Sequence, residues 1–190
     1  MTQTHEPAER VQPRRWTRQE FEQLASLGFF EPEERLELLD GEIFRMTLQS
    51  SWHATSVTKA AKLANLVYRQ GYVVRVQMPL AIGDASLPEP DVAIMRGAID
   101  DYRDAHPKSA VLVIEVADSS LLHDRERKRQ SYARAGIPEY WLINLSDHCL
   151  EVFRNPENGD YQFHLILSPA ESITPLTHPR RTIAVRDLLP

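Results

Sequence analysis

Residues 110–117 read Ala-Val-Leu-Val-Ile-Glu-Val-Ala, an almost unbroken apolar run with one acid, Glu115, near its end. A strand with one wet face alternates apolar and polar residues, whereas a run of this kind fits a strand covered on both faces. Downstream, residues 123–135 carry a helical pattern that Gly136-Ile137-Pro138 stops, and residues 140–145 are again apolar. A helix therefore joins two buried strands. Upstream, residues 91–95 read as a short strand after Pro88-Glu89-Pro90, and residues 72–77 and 80–82 as two more. Residues 150–154 and 161–167 add strands before a proline-spaced tail. Strands and helices mixed in this way predict an α/β (α+β) fold.

The N-terminal half has its own local signals. Thr17-Arg18-Gln19-Glu20 is a capping box, and Trp16 and Phe21 sit where a hydrophobic staple packs. Order is expected to begin there, with a short helix to about Leu27. Residues 35–39 and 42–47 read as two strands around Asp40-Gly41, a strong hairpin pair. Between residues 52 and 70, Ala54, Val57, Ala61, Ala64, Val67 and Tyr68 recur at helical spacing, and Gly71 is placed to end that helix. Residues 1–15, polar and holding Pro7 and Pro13, are expected as a flexible arm ahead of a single domain, 16–190.

Composition sets limits. A chain of 190 residues with 42% hydrophobic and 26% charged content is that of a globular domain, neither disordered nor fibrous. No apolar stretch approaches the ~18 residues that span a bilayer. The first residues lack the apolar core of a signal peptide, so a cytoplasmic location is expected. The one cysteine, Cys149, excludes an intrachain disulfide framework and a multi-cysteine zinc site. A net charge of −5 excludes attachment to nucleic acid by net charge alone, though not by a local basic face.

Four charges stand where charge should not be. An ionised Glu115 within 110–117 costs several kcal/mol unless it is paired or bound to metal. Asp91 opens an apolar strand. Glu37 alternates with Leu36 and Leu38 and points away from the face they bury, although Leu39 shares its side. On the helix after Glu115, Leu121, Asp124, Lys128, Ser131, Tyr132 and Ala135 form one stripe at three- and four-residue spacing. Tyr132 and Ala135 are its natural core contacts, so Lys128 emerges on or beside the inward face. Arg125, Arg127 and Arg129 then project largely into solvent. Singly, each has a plainer reading: an edge residue or ion-pair partner for Glu37, a turn cap for Asp91, a snorkelling lysine for Lys128. Their occurrence together, in this order, is what asks for chemistry.

Glu37, Pro90-Asp91, Glu115 and a lysine close behind resemble the PD-(D/E)XK nuclease superfamily, and more narrowly the chain resembles the Uma-type family of restriction endonucleases. The matching pieces are RLELLDGEIFRM (35–46), EPDVAIM (89–95), LVIEVADSS (112–120) and, most specific, DRERKRQSYARAGIPEYWLIN (124–144). The resemblance runs from about residue 16 to 167. One feature departs from the superfamily: its acidic-x-Lys motif would put lysine at 117, where this chain has Ala117. In Uma-type proteins the lysine comes from the following helix, which matches Lys128.

The resemblance implies a restriction-endonuclease-like core, a mixed central β-sheet flanked by helices, and metal-dependent hydrolysis of DNA phosphodiester bonds. It implies Mg²⁺, with Mn²⁺ as a substitute, held by Asp91, Glu115 and the backbone carbonyl of Val116, with Glu37 completing the site. Lys128 would orient the attacking water or stabilise the transition state. The catalytic set is then Glu37, Asp91, Glu115 and Lys128. DNA is the expected partner, and a homodimer is expected because cutting two strands needs two sites. A non-catalytic nucleic-acid-binding or assembly module on the same fold is the alternative, favoured by Ala117 and the net charge. An unrelated small hydrolase would follow only if the four charges lay far apart.

DNA needs cations, and Arg125, Arg127 and Arg129, with Lys128 and Arg134, form the candidate strip. Only Asp124 and Glu126 oppose them, while residues 20–42 hold eight acids and one base. His53, where the family commonly carries histidine, is read as a helix cap sooner than as a phosphate contact. Cys149 reads as a buried strand residue, and the other histidines suggest no zinc cluster. There is no phosphate-cradling glycine loop and no GxSxG elbow.

Overall fold

The computed structural model describes residues 12–190. The expected arm at 1–15 therefore lies mostly outside the described residues. Within 12–15, Arg15 reaches the Asp40 carbonyl at 3.2 Å and pairs with Glu42. Helix α1 (Arg18–Ser26) starts on its capping box: Thr17 Oγ1 accepts from Glu20 N at 3.2 Å and Glu20 Oε2 accepts from Thr17 N at 2.9 Å. Phe21 then joins Leu38, Ala81 and Leu87 in a small cluster onto which Trp16 packs. The hairpin β1 (Leu36–Leu39) and β2 (Glu42–Arg45) turns through Asp40 and Gly41 at φ 51° and 78°. Glycine is required at 41, because a Cβ there would stand 2.8 Å from Arg15 Cβ.

The centre is a six-stranded mixed sheet in the order β3-β4-β5-β6-β7-β8. Its strands are β3 (Tyr72–Val76), β4 (Val92–Arg96), β5 (Leu112–Ala117), β6 (Glu139–Asn144), β7 (Cys149–Glu157) and β8 (Asp160–Leu167). Every residue of β5 is buried, as its unbroken apolar run predicts. β5 and β6 run parallel, with Glu115 beside Leu142; the other neighbouring pairs are antiparallel. One sheet face packs against α2 (Ser51–Val67) through Val57, Ala60 and Ala64 over Val92, Ile94, Ile114 and Val116. The other face packs Ala93, Val113, Ala117, Tyr140 and Leu142 under Tyr132 and Ala133 of α3 (Arg129–Arg134). A two-stranded ribbon, β9 (Ser172–Ile173) with β10 (Ile183–Ala184), closes the tail. No helix among the described residues is long and apolar enough to cross a membrane.

Several local expectations are corrected. Residues 80–82 form no strand: Gln77 turns through φ 51°, Pro79 offers no N–H, and the chain leaves the sheet. Leu80 and Ile82 instead plug the core, tied by Leu80 N to Pro88 O at 2.9 Å and Ala81 N to Pro107 O at 2.8 Å. The expected helix after Glu115 begins with a π-helical stretch, His123–Lys128, before α3. Glu37 meets His123 and Lys128 while Leu36 and Leu38 meet the Phe21 cluster, and its own side is buried too. Cys149 is half-buried.

Candidate active site

Four elements bring their charges together around Lys128, beside one pocket. β1 carries Glu37, the entry to β4 carries Asp91, β5 carries Glu115, and the π-helical stretch delivers Asp124 and Lys128; all five are buried. Lys128 Nζ is 3.0 Å from Glu115 Oε1, 3.2 Å from Glu37 Oε2 and 3.9 Å from Asp124 Oδ1. Tyr132 donates to Glu115 Oε1 at 2.6 Å, and Asp91 N donates to Glu115 Oε2 at 3.2 Å. Val116 N donates to Asp91 Oδ2 at 2.9 Å, Gln77 Nε2 donates to Oδ1 at 3.0 Å, and His53 Nε2 stands 3.1 Å from Oδ2. His123 Nε2 lies 3.3 Å from Glu37 Oε1, its ring tilted against Phe44.

These contacts set the charges. Burial alone would raise Glu37, but the Lys128 ammonium and hydrogen bonds from His123 and Lys128 hold it down to about 2. Burial also opposes ionisation of Asp91, yet His53, Gln77 and the Val116 N–H hold it below the usual range. Glu115 goes the other way. Its burial, only partly offset by Lys128 and reinforced by Asp91, Asp124 and Glu37, raises it well above an ordinary carboxyl. The ring of carboxylates keeps Lys128 charged despite its burial. The cluster thus carries more negative than positive groups, and Glu115 is the one whose proton responds most to an added cation.

The pocket beside this cluster has a volume of about 90 Å³ and is lined by Asp91, Glu115, Val116, Asp124, Lys128 and His53, among others. Glu37 is not at its wall; it sits behind the ammonium. Among the described residues no set of three or more His, Cys, Asp or Glu side chains is disposed to hold a metal ion. Besides Glu89, Asp118 and Asp124, the pocket wall nevertheless offers the two strand carboxylates Asp91 and Glu115 and a backbone segment, all hard oxygen. That fits a divalent ion of the Mg²⁺ type, which binds through one or two carboxylates and keeps waters for the rest. Each carboxylate accepts three bonds from the protein out of roughly four acceptor positions, which leaves each one more to offer.

Sequence reasoning missed part of this site. Ser50, not His53, caps α2: its Oγ accepts from His53 N at 3.2 Å, which frees the His53 ring for Asp91. Tyr132 was legible as core but not as a hydrogen-bond donor, although a buried phenol needs a partner. Asp124 shares the Lys128 stripe. Gln77 and His123 leave no signal in the sequence, since each depends on how two distant segments meet. Of the strip expected to face solvent, Arg127 is exposed while Arg125 and Arg129 are half-buried, and each is paired. Arg125 makes a bidentate contact with buried Glu151 at 3.1 and 2.5 Å, Arg127 pairs with Glu42 at 2.9 Å, and Arg129 pairs with Asp160 at 2.8 Å. Arg134 likewise holds Asp40 at 2.6 Å. Two acids of 20–42, Glu42 and Asp40, and two from β7 and β8, Glu151 and Asp160, thus partner the bases of the helix within the chain.

A six-stranded mixed sheet with helices on both faces, acids at the ends of adjacent strands and a helix-borne lysine between them defines a restriction-endonuclease-like fold. The Uma2 family, described as "Putative restriction endonuclease", matches residues 18–186, and the chain belongs to that family. A solved structure described as a "putative nuclease belonging to DUF820" from Anabaena variabilis is similar over 90% of this chain and 96% of its own, with 17% identity and a TM-score of 0.69. The type IIG restriction endonuclease BpuSI aligns over 61% of this chain and 14% of its own, with 20% identity and a TM-score of 0.39. No curated protein matches. Family and fold together make this a nuclease-like protein.

Proposed function

We propose that the protein hydrolyses DNA phosphodiester bonds with Mg²⁺ or Mn²⁺ held by Asp91, Glu115 and the Val116 carbonyl, and with Lys128 acting on the phosphate or the attacking water. The observation that carries this reading is the Lys128 ammonium, at the pocket wall and 3.0 Å from Glu115 although the strand itself supplies only Ala117. When bound, the cation would acidify a water and neutralise charge on the phosphate. The chain's own residues do the rest. Lys128 has three N–H donors, two of them turned to Glu115 and Glu37, and the third can reach a phosphate oxygen or a water. Glu37 acts as a positioning residue, keeping that ammonium charged and aimed. His53 and Gln77 fix the plane of Asp91, and Tyr132 fixes that of Glu115, as supporting shells of metal sites do. Arg127, the most exposed of the three helix arginines, would meet a phosphate by exchanging Glu42 for it. Cutting both strands would take two copies of the chain.

The test is incubation of supercoiled plasmid with the protein and Mg²⁺ or Mn²⁺, beside Asp91→Asn and an EDTA control, with calorimetric titration of both ions. Nicked and linear products that vanish in Asp91→Asn are expected. Metal binding without cleavage of DNA or RNA would put the non-catalytic module in its place.

A further inference from the structure

We propose that a second cleft, between α1, β3 and residues 102–108, binds a phosphate oxyanion, namely one on the DNA strand beside the cleaved bond. The cleft has a volume of about 490 Å³ and is lined by Arg18, Arg75, Arg103, His106 and Lys108 against Glu22 and Asp104. Its centre is Arg75, half-buried on the edge strand β3. Unlike the arginines of α3, Arg75 forms no ion pair among the described residues. Its Nε meets only Met78 Sδ at 3.4 Å, its Nη2 meets His106 Nδ1 at 3.4 Å, and its Nη1 is buried with no partner. A buried N–H without an acceptor, as at Nη1, is costly to keep.

The neighbours add more donors than free acceptors. Arginine can only donate, so His106 Nδ1 accepts and the ring carries its proton on Nε2, a further donor. Burial and the nearby Arg75 hold His106 below its usual value, consistent with that neutral ring. Lys108 brings an ammonium that is likewise in no ion pair among the described residues. The two acids are taken: Glu22 lies 3.9 Å from Arg18, and Asp104 lies 3.3 Å from Arg103. An oxyanion with several acceptor oxygens answers this set, and bidentate recognition by a guanidinium suits phosphate in particular.

Position connects the cleft to the active pocket. Arg75 precedes Gln77 by two residues, roughly 7 Å along a strand, and Gln77 holds Asp91. Glu89, on the wall of the active pocket, is near enough to act on the charge of His106. A DNA strand, carrying one charge per roughly 3.4 Å of helix axis, can therefore lie on both sites. The cleft thus adds cations to a chain whose helix arginines are paired with carboxylates of the β1–β2 hairpin, β7 and β8. The DNA assignment rests on the nuclease reading; the oxyanion site does not.

Two measurements on Arg75→Gln and Lys108→Gln, each first checked for an unchanged melting curve, separate the claims. Calorimetry with inorganic phosphate should show binding to the parent that weakens at least tenfold in Arg75→Gln; no binding to the parent, or equal binding to the variant, overturns the site. Anisotropy of a labelled duplex bound to Asp91→Asn in EDTA, across a salt series, should lose about one unit of slope for each contact removed. If phosphate binding falls in the variants while the DNA slope holds, the oxyanion site stands and its assignment to the DNA strand is overturned. If DNA does not bind in any form yet phosphate does, the nuclease reading fails and the site survives it.

Discussion

Replacing Lys128 with methionine keeps the length of the side chain and removes its charge from among three carboxylates at 3.0, 3.2 and 3.9 Å. Glu37 is the residue most exposed to the loss, because it is fully buried and owes its low value of about 2 to that ammonium and to His123. Without Lys128, Glu37 must either stay charged and half-partnered or take up a proton. Taking up a proton at pH 7 from a carboxyl that ionises near 4.3 in the unfolded chain costs about 3.7 kcal/mol, at 1.36 kcal/mol per unit. That agrees with the ~3–5 kcal/mol typical of breaking a buried pair by removing one partner. For a chain of this size, 2–4 °C per kcal/mol puts the fall in Tm at roughly 6–20 °C. The pH dependence follows from the same shift. In the parent, the depressed Glu37 contributes stability that is full above about pH 5 and lost as pH falls towards 2. In the variant, that carboxyl sits above its unfolded value, so the deficit is largest at neutral pH and shrinks on acidification towards pH 4. Differential scanning calorimetry in EDTA between pH 4 and 8 measures both. The double variant Glu37→Gln/Lys128→Met should recover part of the loss, because it removes both members of the pair. A drop below 3 °C that is the same at pH 5 and pH 7.5 would refute the buried ion cluster.

Three other outcomes are expected. His53→Ala should leave the fold intact and lower metal affinity or cleavage by about 10–100-fold, the scale of losing the partner that orients a ligand; titration calorimetry and the plasmid assay check it. Tyr132→Phe removes the 2.6 Å hydrogen bond to Glu115 and should cost about 1–3 kcal/mol in a urea melt. Arg125→Ala strips a bidentate partner from buried Glu151 and should lower Tm by several degrees with little change in the salt slope of DNA binding, whereas a changed slope with an unchanged Tm would return Arg125 to the DNA face.

The sequence exposed most of the fold because the decisive elements carry local signals. The buried run at 110–117, the capping box at Thr17 and Glu20, and the Asp40-Gly41 turn each act over a few residues, so each was readable without the rest. Residues 80–82 were misread because a short apolar run looks the same as a strand and as a core plug; only the turn at Gln77 and Pro79 separates the two. The acids and Lys128 stood out because a charge in an apolar pattern demands compensation. Their partners did not. His123 reaches Glu37 from 86 positions away and Gln77 reaches Asp91 from 14, and neither pairing leaves a trace in local spacing. The arginines beside Lys128 show the same limit. The spacing of the basic helix gives no sign of the acids that pair with it: Asp40 in the β1–β2 turn, Glu42 on β2, Glu151 on β7 and Asp160 on β8 come near only in the folded chain.

The place of the lysine has a packing cause. Ala117 lies two residues beyond Glu115 on the same side of β5, where a strand lysine would reach the Glu115 carboxylate. In this fold that side is filled: Ala117 is fully buried with Val113, Tyr140 and Leu142 beneath Tyr132. A longer side chain at 117 would overpack that layer, at about 1–3 kcal/mol or more, and would bury an ammonium among aromatic rings. The helix that caps the layer with Tyr132 is also the one that can set a cation above Glu115. Its π-helical first turn, in which Arg129 N reaches back five residues to the Asp124 carbonyl, ends on Lys128 with that side chain turned inward. Such turns recur at functional sites because the inserted residue redirects its neighbours. Tyr132 and Lys128 then grip the same oxygen of Glu115, one as a neutral donor and one as a charge. Filling the core and supplying the cation are therefore one structural solution, which a lysine at 117 would disturb.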